Sequence, residues 1–213
     1  MDARNVNRSV RRWLWPALEE AGFSVRGRWA VWRYVEGHTD VVDVTTVGRH
    51  ADAVGCTSGS LTAFVACVPA WAAEAAGADE DAPPGSPRYW EAPLRRQLHK
   101  TLSQPWFRPF ADPAPERLLP SNAKHREGLR AVMRADVHDR PDIWYVLDDG
   151  SNLREVLDDV LEVVRRVGLP ALDGFHDPGA VIRSILDDEL QMAPDSPAAR
   201  ALIEAAERAT RLR

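Results

Sequence analysis

Between Gly22 and Val68 the hydrophobic period of the chain drops from about 3.6 residues to two, and it stays there through three runs. Before the change, Val10, Trp13, Leu14, Ala17, Leu18 and Ala21 recur at three- and four-residue intervals, which predicts a helix over Val10–Ala21. Pro16 is a defect in that helix, and Gly22 suits its C-terminal stop. After the change, Ser24–Tyr34 reads as one strand. Val25, Gly27, Trp29 and Val31 alternate with Arg26, Arg28, Ala30 and Trp32, so each set shares a face. Glu36-Gly37-His38 marks a turn, Asp40–Val47 the partner strand, and Gly48–Gly59 a loop. Leu61–Val68 is apolar almost throughout, which predicts a central strand that Pro69 ends. One helix leading into an antiparallel meander is the arrangement this order dictates.

The rest of the chain adds elements around that meander. Ala70–Pro87 is an acidic, small-residue, Pro/Gly-bearing insert that predicts a surface loop. Pro93–Leu98 begins a strand or a helix. Ser103–Asn122 carries Pro105, Pro109, Pro113, Pro115 and Pro120, which exclude long regular elements. Ile143–Leu147 reads as a short strand and Asp148–Ser151 as a turn. Asn152–Val167 is the clearest amphipathic helix, stopped by Gly168 and Pro170. Pro178–Leu190 reads as a helix that Asp177 can cap, and Pro197–Leu212 as an Ala-rich terminal helix. Helix, strands, a proline-rich connection, a strand, then helices fit an α+β fold. The expectation is an antiparallel sheet of about four or five strands with helices mainly on one face. Residues 1–190 form one domain with irregular inserts near 70–88 and 103–140, and 191–213 a helical extension.

Composition narrows the function classes. A net charge of −5 over 213 residues supplies no basic field for a phosphate backbone, so generic nucleic-acid binding is not expected. Met1–Arg12 is polar, without the apolar core of a secretory signal, and no apolar run approaches a membrane span. A cytoplasmic location follows, and with it a reduced state for Cys56 and Cys67. Their spacing gives no disulfide framework and no zinc motif.

The six histidines, His38, His50, His99, His125, His138 and His176, form no metal-ligand spacing. His50/Asp52 and His138/Asp139 read as solvated loop pairs, and Asp158 and Asp159 as a solvated helix face. No nucleophile elbow, phosphate loop or dinucleotide fingerprint occurs. The reading therefore names no catalytic residue, no metal ligand and no cofactor. Its binding candidates are Arg26, Arg28 and Arg33 beside Trp32, and Trp90 and Trp106 in irregular segments. Guanidiniums beside an indole suit clamping an anion and stacking a ring, and exposed aromatics suit an interface. Arginine stems covering apolar surface are the structural alternative.

The order of several short motifs resembles one bacterial family, domain of unknown function 4304. They are Gly22-Phe23, the Gly-Arg strand with Trp32-Arg33, Leu94-Arg95-Arg96-Gln97-Leu98, Asp142-Ile143-Trp144-Tyr145, and Gly168-Leu169-Pro170-Ala171-Leu172. The resemblance covers roughly residues 8–188 and implies a fold rather than a reaction. The leading functional expectation is a non-catalytic binding or protein-interaction module, with a protein partner or a second copy of the chain docking near Trp32, Trp90 and Trp106. The alternative is an enzyme acting on an anionic small molecule or nucleotide, with Arg26, Arg28 and Arg33 holding the anion and His99 as general base. In a third arrangement the terminal helix Pro197–Leu212 docks on another copy.

Overall fold

Five strands pair in sequence order into one antiparallel sheet: β1 (Val25–Arg26), β2 (Ala30–Val35), β3 (His38–Thr46), β4 (Leu61–Val68) and β5 (Leu94–Gln97). The computed structural model describes residues 2–51, 54–75, 86–106, 127, 138–187, 189–190 and 192–212. The helices are α1 (Ala3–Ser9), α2 (Trp15–Glu19), α3 (Ala70–Ala75), α4 (Leu153–Val163), α5 (Leu169–His176), α6 (Pro178–Leu186) and α7 (Pro197–Leu212). They bury one face of the sheet, where Val31, Val42, Val44, Ala63, Val65, Cys67 and Leu94 join a single core with the helices. On the outer face, Ala30, Trp32, Val41 and Ala66 make a smaller cluster under Tyr89 and Ala92. This is an α+β fold. Among the described residues no helix is long and apolar enough to cross a membrane.

The β2–β3 hairpin turns on two residues with positive φ, Glu36 at 49° and Gly37 at 81°. That is the geometry whose twist matches two right-twisted strands, and it locks Val35 opposite His38. Upstream, the single strand predicted over Ser24–Tyr34 is instead a tight fold-back. The Gly27 amide donates to the Ala30 carbonyl at 2.8 Å, and β1 returns against β2. Glycine is required at this corner, because a Cβ on Gly27 would lie 2.6 Å from the Trp32 ring. Arg26 therefore stands opposite Val31, on the other face from Trp32, and the shared arginine–indole face does not form.

Two prolines are carried inside continuous helical rods. The Trp15 amide donates five residues back, to Val10, just before Pro16, and the Leu169 amide does the same, to Val164, just before Pro170. One extra residue in the turn moves the carbonyl with which the proline ring would clash. The first rod thus starts at Ala3 rather than Val10. The second passes through Gly168, which sequence reads as a stop, and ends at His176. Gly168 is a contact glycine: a Cβ there would meet Val65 Cγ1 at 2.9 Å.

Three further expectations change. Among the described residues, 143–147 make one bridge, Trp144 to Leu61; most of their other backbone groups bond side chains, with Val146 donating to Ser60 and Tyr145 to Gln104. Asp159 is buried, not solvated, and accepts hydrogen bonds from Trp144 Nε1 at 2.7 Å and from Thr101. The apolar face of α7 (Ala199, Leu202, Ala205, Ala206, Ala209) is buried within this chain, packed on α3 and α6. Cys56, in the loop before β4, and Cys67, near the end of β4, are buried free thiols with no bridge between them. Asp52, His125, and most of the 70–88 and 103–140 inserts lie outside the described residues.

Candidate metal-binding site

Strand register alone assembles most of the site. Arg33 of β2 stands directly opposite Asp40 of β3, and Asp40 opposite Cys67 of β4. All three point into the helix-covered face, with His38 two residues before Asp40 on the same side. The continuous second rod then delivers His176, its last residue, over this row.

Asp40 is completely enclosed. Its Oδ2 accepts from Arg33 Nε at 2.7 Å, and its Oδ1 lies 2.9 Å from His176 Nε2. Burial raises the pKa of this carboxyl. The hydrogen bonds and charges of His176 and Arg33 together outweigh burial and hold it below the ordinary range. The imidazoles of His176 and His38 stack with centroids 4.0 Å apart, and the Ala70 amide donates to His38 Nδ1 at 3.2 Å. Cys67 is fully enclosed; burial, reinforced by Asp40, pushes its thiol far above the usual range. One ligating atom each from His38, Cys67 and His176 lies within 4.8 Å of the other two.

Two chemical readings of a thiol beside imidazoles separate here. A nucleophilic cysteine must be reachable and easily ionised, and Cys67 is neither. Two imidazoles and a sulfur within reach of one another are instead the donor types of zinc(II) and copper(I) sites. Asp40 bonds His176 from the side, as the carboxylate partners of metal-bound histidines do. Of the three donors His176 is the most open to solvent, with a fifth of its side chain exposed.

The residues singled out from sequence are dispersed. Arg33 is in the cluster, but its guanidinium is consumed by Asp40, by Asp173 at 3.0 Å and by the Ala21 carbonyl at 3.3 Å. Arg26 pairs with Glu19, and Arg28 lies over the Trp29 ring at 4.5 Å. His99 is exposed beyond β5, at the opposite edge from Arg26, about 19 Å away across four strand spacings. Trp32 is buried and donates to the Pro87 carbonyl at 2.8 Å. Trp90 is half exposed on the outer face, under Arg88 at 4.3 Å. Trp106 stacks on Tyr145 at 5.0 Å, near the far end of the sheet. Trp32 and Trp90 thus share a face, and Trp106 stands apart.

His38, Cys67 and His176 escape sequence reading because each sits in a different element. Part of the signal is present: a two-residue hairpin at Glu36-Gly37 fixes Arg33 opposite Asp40, which puts a polar pair on a core face. Comparison of the chain with family models, with curated proteins and with solved structures finds no match.

Proposed function

We propose that this chain is a non-catalytic binding protein whose bound species is a zinc-type transition-metal ion, held by His38, Cys67 and His176. The observation that carries this reading is the proximity of the three donors, within 4.8 Å of one another, with Asp40 bonded to one of them. Enclosure of Cys67 and His38 favours holding an ion over turning over a substrate. The bound ion must displace the thiol proton. The resemblance to domain of unknown function 4304 is compatible with this reading, since it implies a fold and no reaction.

Cobalt(II) titration of the reduced protein tests the proposal. One equivalent is expected to produce a thiolate-to-cobalt charge-transfer band that zinc(II) displaces and Cys67→Ser abolishes. Asp40→Asn is expected to weaken binding by about 10–100-fold, the usual cost of losing such a partner. A one-to-one titration without a thiolate band sinks the reading.

A further inference from the structure

On the helix-covered face, Arg96 of β5 stands opposite Val65 and points into the crevice between the sheet edge and α5. It is only partly exposed, and among the described residues it has no ion-pair or hydrogen-bond partner. That sets it apart from Arg33, Arg88 and Arg140, each of which holds a carboxylate. A guanidinium with no protein partner in the wall of a crevice keeps its five donors free for a ligand, and a charge-assisted, bidentate contact with an anion is the strongest bond it can form there.

The crevice is a depression of about 310 Å³, at the small end of ligand pockets. Its second cation is Arg166, exposed and only loosely paired with Glu162 at 3.6 Å. Its acid, Glu189, accepts a hydrogen bond from Ser184 at 2.9 Å. The remaining wall is apolar, with Pro170, Ala171, Phe175 and Leu190. Two guanidiniums lining one crevice together with an apolar wall match a ligand with an anionic head and a short apolar body. Inorganic phosphate would satisfy the arginines and leave that wall in water.

We infer that this crevice is a binding site for a small carboxylate with an apolar tail, with Arg96 as the anchoring group and Arg166 as the outer cation. Arg26, Arg28 and Arg33 take no part in it. The site is independent of the metal reading.

Octanoate is the probe, with octanamide as its neutral isostere and inorganic phosphate as the bare anion. Calorimetric titration is expected to give saturable one-to-one octanoate binding at least tenfold tighter than either comparison. In ¹⁵N spectra the shifts are expected to centre on the Gly174 and Phe175 amides. Arg96→Gln is expected to erase the preference for octanoate over octanamide, and Arg166→Gln, at an exposed position that leaves the fold intact, to weaken it several-fold. Equal binding of octanoate and octanamide by the parent overturns the proposal. So does octanoate binding that both variants retain, or phosphate binding as tightly as octanoate.

Discussion

On the outer face of the sheet the Asp43 carboxylate is fully enclosed, and its Oδ2 accepts from Arg88 Nε at 2.9 Å. Its Oδ1 is buried with no hydrogen-bond partner among the described residues. Burial raises the pKa of this acid, and Arg88 and the Tyr89 amide only partly oppose it. The native acid therefore holds its proton to higher pH than the unfolded chain, whose ordinary value is 3.8. Across that window the folded state binds more protons, so stability falls as pH rises, and the full penalty is present at neutral pH. Asp43→Asn keeps an oxygen for Arg88 and removes the buried charge. At pH 7 the variant is expected to be at least as stable as the parent in urea unfolding, and to lose part of the decline above about pH 4. A loss of several kcal/mol would instead show that the ion pair outweighs its burial.

At the scale of elements, periodicity carried the meander and the amphipathic faces, because side chains on this sheet segregate cleanly between core and outer surface. Punctuation was less legible. Gly27 hides a fold-back inside an alternating run, and Gly168-Leu169-Pro170 imitates a helix end where the helix continues. Glycine and proline signal local backbone options, and tertiary contact chooses among them. Gly168 shows which option was taken: its missing Cβ lets the second rod lie against Val65, and that approach carries Asp173 to Arg33 and His176 to Asp40. Had Gly168 been a mere stop, Gly168→Ala would stabilise the helix by about 1 kcal/mol. Because the added methyl meets Val65 at 2.9 Å, the expected result is a net loss of about 1–3 kcal/mol in chemical unfolding. Val65→Ala in the same chain is expected to recover part of it, since the two changes share one contact. Additive losses would place the cost elsewhere.

For the whole molecule, the candidate metal site matters because of what it joins. His38 and Cys67 belong to the central strands, whereas His176 closes the rod that leads through Asp177, the cap of α6, to the terminal helix. The sheet and the C-terminal helices otherwise meet through apolar contacts and the Arg33–Asp173 and Asp40–His176 pairs. An ion on the three donors would add a link that spans both layers, and such a link stabilises the folded state by mass action. At a free-ion concentration of 100 times Kd the gain is about 2.7 kcal/mol. For a chain of this size each kcal/mol moves Tm by about 2–4 °C. Saturating zinc is therefore expected to raise Tm by about 5–10 °C in the parent and by far less in His176→Ala. Hydrogen exchange then locates the effect. Slowed exchange is expected in β3 and β4 and also in α5 and α6, because the ion ties the two layers together. Protection confined to β3 and β4 would mean that His176 is not a ligand, and the link between sheet and helices would have to be abandoned even if the strands bind the ion.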